Sequence, residues 1–114
     1  MRYALLICTD EKAPVSPQER SRRAAAFGSV VEEMRLDGVL LSSERLHPTD
    51  TATTVRCWDG GDVVIADGPF AETKEQIGGF FLADCKDLDD AIELAAKIPG
   101  AAVGSIEVRP VWEM

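Results

Sequence analysis

The hydrophobic pattern of this chain begins with a segment that is apolar on both of its alternating sides. Within Arg2–Cys8 the odd positions and the even positions are both mostly apolar: Tyr3, Leu5 and Ile7, then Ala4, Leu6 and Cys8. A strand that is apolar on both faces is buried on both faces in the folded protein. The pattern therefore predicts that Arg2–Cys8 is a strand covered on both sides.

An amphipathic helix is predicted after a polar loop. Ser16 is a favourable N-cap, Pro17 fits the first helical position, and Glu19 is spaced to close a capping box. The helix is expected to extend to about Asp37 and to end at Gly38. Apolar residues recur along it at helical spacing, at Phe27, Val30, Val31 and Met34.

The rest of the chain alternates short apolar or β-branched runs with turn residues. The run Asp59-Gly60-Gly61-Asp62 is a strong hairpin signal. Asp87 caps a second predicted helix, which carries apolar residues at helical spacing as far as Ile98 and ends at Pro99-Gly100. The further predicted strands are Val39–Leu46, Ala52–Trp58, Val63–Ala66, Phe80–Cys85 and Ser105–Trp112.

This order of elements predicts an α+β fold in a single domain, residues 1–114. The order β-α-β-β-(β)-β-α-β is the ferredoxin-like βαββαβ pattern with an extra β-hairpin strand. In that fold two helices cover one face of an antiparallel sheet. The other face would then expose apolar residues of the first strand and of Phe80–Cys85, which is a large patch for a monomer. The simplest cover is a second copy, packed sheet against sheet in a two-fold dimer.

Charge and composition exclude several classes of function. The formal net charge is −8, and this argues against sequence-independent binding of nucleic acid. A local basic group, Arg20, Arg22 and Arg23, is interpreted first as a solvated helix face supported by Glu19, and alternatively as a small anion site. No apolar run approaches the roughly 20 residues of a membrane span, and no signal peptide is recognised, so we expect a cytoplasmic protein.

The cysteines and the single histidine argue against a metal centre. Cys8, Cys57 and Cys85 are widely separated, lack a C-x-x-C spacing and fall in predicted strands, which indicates structural core thiols. His47 is the only histidine, so one chain cannot assemble a His-based zinc site. We expect no metal and no cofactor.

The candidate chemistry is concentrated in Asp67–Phe81, which reads DGPFAETKEQIGGFF. Asp67 either accepts hydrogen bonds from the turn or acts as a general base at the rim of a pocket, together with His47 if the two lie close together. Phe70 is interpreted as the anchor of this corner in the core. The charged residues Glu72, Lys74 and Glu75 are either a solvated loop or contacts for a substrate. Gly78 and Gly79 indicate a bulge or a close backbone approach, with anion binding as the alternative.

These residues resemble the YCII-related family, in the branch named for its DGPF motif. The likeness is carried by Asp67–Gln76 and Gly78-Gly79-Phe80, and by the segments Tyr3–Ile7, Thr51–Arg56 and Glu107–Pro110. It implies a dimeric α/β barrel, a fold whose members include isomerases and dehydrohalogenases. Some relatives are thought to use a His–Asp pair with the histidine near the start of the first helix. The helix here begins SPQERSRR and has no histidine. His47 would therefore have to supply the histidine of such a pair from a different position in the chain.

Two functions follow as hypotheses. The first is a homodimer that binds a small polar or aromatic molecule beside the DGPF segment and carries out cofactor-free proton-transfer or lyase-type chemistry with Asp67 and His47. The second is a non-enzymatic regulatory or interaction protein, for which the resemblance suggests a link to an alternative sigma factor. An enclosed cavity around Asp67 with His47 or Lys74 within hydrogen-bond reach would favour the first. A filled interior, with all three side chains pointing into solvent, would favour the second.

Overall fold

The computed structural model describes residues 1–113, which form two α-helices, two short 3-10 helices and six strands. In chain order the main elements are β1 (Arg2–Thr9), α1 (Pro17–Leu36), β2 (Leu40–Arg45), β3 (Thr53–Cys57), β4 (Val63–Asp67), β5 (Gln76–Asp84), α2 (Leu88–Ala96) and β6 (Ser105–Pro110). The 3-10 helices are Thr49–Thr51, between β2 and β3, and Pro99–Ala102, between α2 and β6.

Four strands form one antiparallel sheet and the remaining two form a separate hairpin. The sheet order is β2-β5-β1-β6, and β3 pairs with β4 alone. Without the hairpin, the order is that of a ferredoxin-like fold, so the predicted fold class is confirmed. The strand pattern alone does not indicate that the hairpin stands apart from the sheet, because alternation defines two faces of a strand but not its neighbours.

The core lies between one face of the sheet and the two helices. The largest fully buried side chains come from β1, β5, α1 and the connection after α2: Leu5, Phe81, Met34 and Ile98. Phe27 of α1 stacks on Phe81 with ring centroids 5.3 Å apart. Tyr3 and Ala83 belong to the same cluster, so the odd positions of β1 and β5 face the helices.

The N-terminus of α1 follows the sequence pattern with one difference. Ser16 Oγ accepts a hydrogen bond from the backbone N–H of Glu19 at 3.1 Å, as an N-cap does. The capping box is not closed, because the Glu19 carboxylate accepts hydrogen bonds from Arg22 and Arg23 instead. These bonds lower the pKa of Glu19 to about 2. The pairing supports the interpretation of the basic group as a solvated helix face.

The strand β5 begins four residues earlier than the predicted Phe80, and both glycines lie inside it. Gly78 is at a β-bulge, since the pairing of β1 with β5 skips it between Ile7 and Cys8. A Cβ on Gly79 would lie 2.9 Å from the carbonyl oxygen of Glu44 in β2. The glycine pair therefore serves backbone geometry, as a bulge and as a close approach of the neighbouring strand.

Phe70 and Cys57 are not in the core, contrary to the sequence interpretation. The Phe70 side chain is 77% exposed and stacks against Arg56, whose guanidinium carbon lies 5.4 Å from the ring centroid. Cys57 is exposed on β3, whereas Cys85 is buried and Cys8 is half-buried. Trp112 is 88% exposed beyond the end of β6. The period-2 pattern was correct within each strand, but the hairpin and the chain terminus lie outside the core that would bury these side chains.

The face of the sheet opposite the helices is apolar along its two central strands, as expected. Ala4, Leu6, Phe80 and Leu82 lie on it and are only half-buried within one chain. Its outer strands β2 and β6 contribute polar residues at the facing positions, including Ser42, Glu44 and Glu107. No helix within residues 1–113 is long and apolar enough to cross a membrane.

Two alanine substitutions compare the observed core with the predicted one: Phe81 is buried in the structure, whereas Phe70 was predicted to be buried but is exposed. We expect Phe81→Ala to lower the free energy of unfolding by about 3–5 kcal/mol, because it leaves a cavity under the helices. The matched variant Phe70→Ala should cost less than about 1 kcal/mol, since it loses only an exposed stacking contact. Urea unfolding followed by circular dichroism measures both, and equal losses would contradict the assignment of the core.

Candidate functional site

The segment between β4 and β5, residues 67–75, is called the DGPF loop here, and it leaves the hairpin through a fixed turn. Gly68 has φ +100°, a conformation that favours glycine. Its backbone N–H donates to the carbonyl oxygen of Ala52 at 2.8 Å, and its own carbonyl oxygen accepts from Thr54 Oγ1 at 2.8 Å. These bonds close the base of the hairpin and set the direction in which Pro69 and Phe70 leave it.

The other end of the DGPF loop is held by the first residue of β5. Gln76 Nε2 donates to the carbonyl oxygen of Ala71 at 2.7 Å and to that of Thr73 at 3.2 Å. Thr73 Oγ1 donates to the carbonyl oxygen of Glu75 at 2.6 Å. Glu75 in turn accepts a hydrogen bond of 2.7 Å from Ser105 at the start of β6. The loop is thus held by hydrogen bonds that its backbone carbonyl oxygens accept from side chains, and the Ser105–Glu75 hydrogen bond connects it to β6.

The DGPF loop forms one wall of an open cleft of about 590 Å³, called the apolar cleft. The opposite wall is the connection from β2 to β3, residues 46–52, which includes the 3-10 helix Thr49–Thr51. Leu46, Phe70 and Ile77 provide its large apolar side chains, and each is about half exposed or more. The volume falls within the range of about 300–1,000 Å³ that small-molecule sites occupy.

A second cleft of about 410 Å³, the charged cleft, lies on the other side of the DGPF loop. Its lining includes Glu72 and Lys74 from the loop and Asp10, Glu11 and Lys12 from the segment after β1. The Glu11 carboxylate accepts hydrogen bonds from both the backbone N–H and the hydroxyl of Thr49. This contact satisfies the N-terminus of the 3-10 helix and connects the two clefts, because Thr49 lines both.

The two candidate acid–base residues occupy different positions. His47 is exposed and lines the apolar cleft, directly before Pro48. Asp67 is the last residue of β4, pairs with Thr53 across the hairpin, and lines neither cleft. Within residues 1–113 no hydrogen bond or ion pair joins His47, Asp67 and Lys74 to one another, and all three side chains are exposed. The assignment of a His47–Asp67 pair stays a prediction.

The other predicted contacts divide between the clefts and the sheet. Phe70 and Glu75 line the apolar cleft, and Glu72 and Lys74 line the charged cleft. Gly78 and Gly79 line neither cleft, and Gly79 is buried between neighbouring strands. Residues 1–113 contain no cluster of three acidic, histidine or cysteine side chains that could hold a metal ion. Burial raises the pKa of the Cys85 thiol and that of Cys8, in keeping with unreactive thiols.

Comparison with known proteins fits this architecture. The family model of the YCII-related domain matches residues 1–114. The chain belongs to the YCII-related family. It is also 40% identical over 115 residues to an uncharacterised protein of Rhizobium meliloti (strain 1021), covering 97% of this chain and 92% of that relative.

Two residues of the second wall, Leu46 and Thr49, were not predicted to take part in the site of this YCII-related protein. They line the apolar cleft, as does Ile77, which was also given no role in the site. The available signal was that His47-Pro48 and Asp67–Phe70 flank the predicted hairpin at its two ends. Because the two ends of a hairpin lie side by side, residues on either side of it are brought together.

The isosteric change Gln76→Glu tests whether the glutamine amide holds the DGPF loop. A carboxylate cannot donate to the Ala71 and Thr73 carbonyl oxygens and repels both, so the loop should open more often. We expect cleavage by trypsin after Lys74 to become about tenfold faster. Gln18→Glu, the same change in the first turn of α1, is the control and should leave the rate unchanged. A Gln76→Glu rate equal to that of the control would mean that the loop is held by other contacts.

Proposed function

We propose that this YCII-related protein is a homodimer that binds a small molecule with an aromatic or apolar part and a polar group in the apolar cleft. The observation that carries the proposal is the composition of this cleft. Leu46, Phe70 and Ile77 surround a space of ligand size, and His47 is the histidine beside them. Apolar walls with a few polar groups are typical of small-molecule sites.

The proposed chemistry is cofactor-free proton transfer, including lyase-type reactions, with His47 as the acid–base residue. Histidine is the side chain that exchanges a proton most readily near neutral pH. In the cleft it would face the polar group of the ligand while Phe70 packs against the apolar part. Asp67 is proposed as its partner carboxylate, and this requires that ligand binding or dimer formation bring the two walls closer together.

The proposed dimer forms through the sheet face opposite the helices. Support comes from Ala4, Leu6, Phe80 and Leu82, which are apolar and only half-buried in one chain. Their removal from water would be favourable by about 25 cal/mol per Å² of apolar surface. We further propose that the protein functions in the cytoplasm, which fits its three free cysteines, since cytosolic thiols are kept reduced.

The alternative function, a regulatory or interaction protein, is favoured by one specific observation. His47, Asp67 and Lys74 are all exposed and unconnected, as this alternative predicts. The exposed apolar hairpin provides a surface for a partner. The link to an alternative sigma factor rests on the family resemblance. The two functions are distinguished by whether the apolar cleft takes up small molecules.

A titration of the ¹⁵N-labelled protein with a library of small aromatic carboxylates and phenols tests the main proposal. Ligands should shift the amide signals of residues 46–52 and 69–77, and Phe70→Ala should weaken their affinity at least about tenfold. Trp112→Ala removes another exposed aromatic residue, outside the cleft, and should leave affinity unchanged. His47→Gln should also weaken their affinity, because it removes the imidazole that is proposed to face the polar group of the ligand.

Two results would contradict the binding proposal. The first is the absence of shifts in residues 46–52 and 69–77 with every compound at millimolar concentration. The second is an equal loss of affinity in Phe70→Ala and Trp112→Ala, which would place the ligand elsewhere. An unchanged affinity in His47→Gln would remove this residue from the proposed chemistry while leaving the binding site in place.

A further inference from the structure

The hairpin formed by β3 and β4, called the arm, projects from the rest of the molecule. Its two strands contact each other, and within residues 1–113 no other element makes a substantial contact with either of them. The radius of gyration is 16.1 Å, whereas a compact chain of this length has about 13 Å. A two-stranded hairpin with no further packing is at best marginally stable in water. The described residues leave the arm largely uncovered, so a surface of another molecule would stabilise it.

The two faces of the arm differ in chemistry. The cross-strand pairs Val55–Ile65 and Cys57–Val63 lie on one face, which is called the apolar arm face. Its three aliphatic side chains are 58–66% exposed. The opposite face carries Thr54 and Arg56, and Arg56 is engaged by the Phe70 ring of the same chain. Only one face of the arm is thus left with apolar side chains and no charge at its centre.

The arm is a formed unit rather than a loose loop. Five residue pairs connect its strands, from Thr53–Asp67 to Cys57–Val63. At the tip, the Trp58 N–H donates to the Asp62 carbonyl oxygen at 2.9 Å, and at the base the Gly68 N–H donates to Ala52. The register and both ends of the arm are thus defined within one chain, and a covering surface would stabilise this arrangement.

The area of the arm indicates what covers it. Five residues extend about 17 Å and two strands with their side chains span about 10 Å. A face of that size is far below the roughly 800 Å² per partner of a stable interface. A partner that holds the arm must therefore contact a second apolar surface, and the uncovered sheet face with Leu6, Phe80 and Leu82 provides one. In a two-fold dimer both subunits contribute an arm and a sheet face, so each of these two surfaces occurs twice in the interface.

The charges also fit a second copy. Two copies of a chain with net charge −8 repel each other, so their contact must be made by uncharged patches. The centre of the apolar arm face and the centre of the open sheet face carry no charge. The charged side chains near them are at the margins, such as Asp62 at the arm tip and the adjacent pair Glu107 and Arg109 on β6.

We propose that the arm is exchanged between two copies of this chain, with Val55, Cys57, Val63 and Ile65 of each protomer packed against its partner. The proposal rests on the proposed homodimer and adds a second contact to its sheet interface. Cys57, exposed in one chain, becomes covered in the dimer. Val64, on the opposite face, stays accessible.

Two neighbouring valines provide a matched test by sedimentation of the full-length chain. Val63→Glu places a charge on the apolar arm face and should raise the dissociation constant of the dimer at least about 100-fold. Val64→Glu makes the same change on the opposite face, beside Arg56, and should change it less than about threefold. Both positions lie in one exposed strand, so any loss of strand propensity is shared between the two variants.

The thiol of Cys57 provides a second measurement that does not depend on a variant. Trypsin releases Cys57 in the peptide Cys57–Lys74, separate from Cys8 and Cys85. Mass spectrometry of this peptide therefore measures the alkylation of Cys57 by iodoacetamide independently of the other two thiols. Cys57 of the native dimer should react about tenfold more slowly than Cys57 of the dissociated protein at low concentration. Equal rates in dimer and monomer would overturn the exchange of arms.

A variant in the open sheet face, Leu82→Glu, distinguishes the exchange of arms from dimer formation through the sheet. If Leu82→Glu dissociates the dimer but Val63→Glu behaves like Val64→Glu, the dimer stands and the exchanged arm is wrong. If the unmodified chain is a monomer at every concentration, both proposals fail. A monomer in which Cys57 is nevertheless protected would show that the arm folds back on its own chain, which also overturns the exchange.

Discussion

The structure depends on the packing of the central strand β1. It lies between β5 and β6, and its odd positions, Tyr3 and Leu5, are buried beneath the two helices together with Phe81. Its even positions, Ala4 and Leu6, are also apolar but are only half-buried within residues 1–113. The two helices cover the other face of the sheet, and the proposed dimer would supply the second layer that a strand apolar on both sides favours.

The candidate site lies where the hairpin leaves the rest of the molecule. The described strands β3 and β4 pair with each other and not with the four-stranded sheet β2-β5-β1-β6. Its two connections to the body, residues 46–52 and the DGPF loop, therefore run side by side and enclose the apolar cleft. The cleft and the arm are thus formed by one continuous segment of the chain, so the proposed exchange of arms would also act on the walls that carry His47 and Phe70.

The sequence was sufficient for the features that local chemistry decides. The N-cap at Ser16, the helix end at Gly38 and the alternation in β1 all appear in the structure as their residue types predict. Phe70 was misassigned because an aromatic residue after a Pro turn looks the same in sequence whether it faces a core or a cleft. For Gly79 the sequence predicted either a bulge or a close approach of another backbone segment. The structure shows the close approach, made by the backbone of Glu44 in a strand distant in sequence.

The site was predicted less completely than the fold. The DGPF loop was recognised from its turn and charge pattern, but its division between two clefts depends on which residues of the β2–β3 connection lie opposite it. Thr49 and Gln76 shape the site through hydrogen bonds to Glu11 and to loop carbonyls, contacts that no local pattern specifies. Whether Asp67 meets His47 likewise depends on the distance between two segments 20 residues apart in sequence, and spacing along the chain does not fix that distance.

Sedimentation equilibrium of the unmodified protein tests the central claim most directly, because the account requires a second copy to cover the open sheet face. Over concentrations from about 1 to 100 μM the account predicts a single species of twice the 12.4 kDa chain mass. A species of 12.4 kDa throughout that range would show that the open sheet face and the arm stay exposed to solvent, and it would contradict the account.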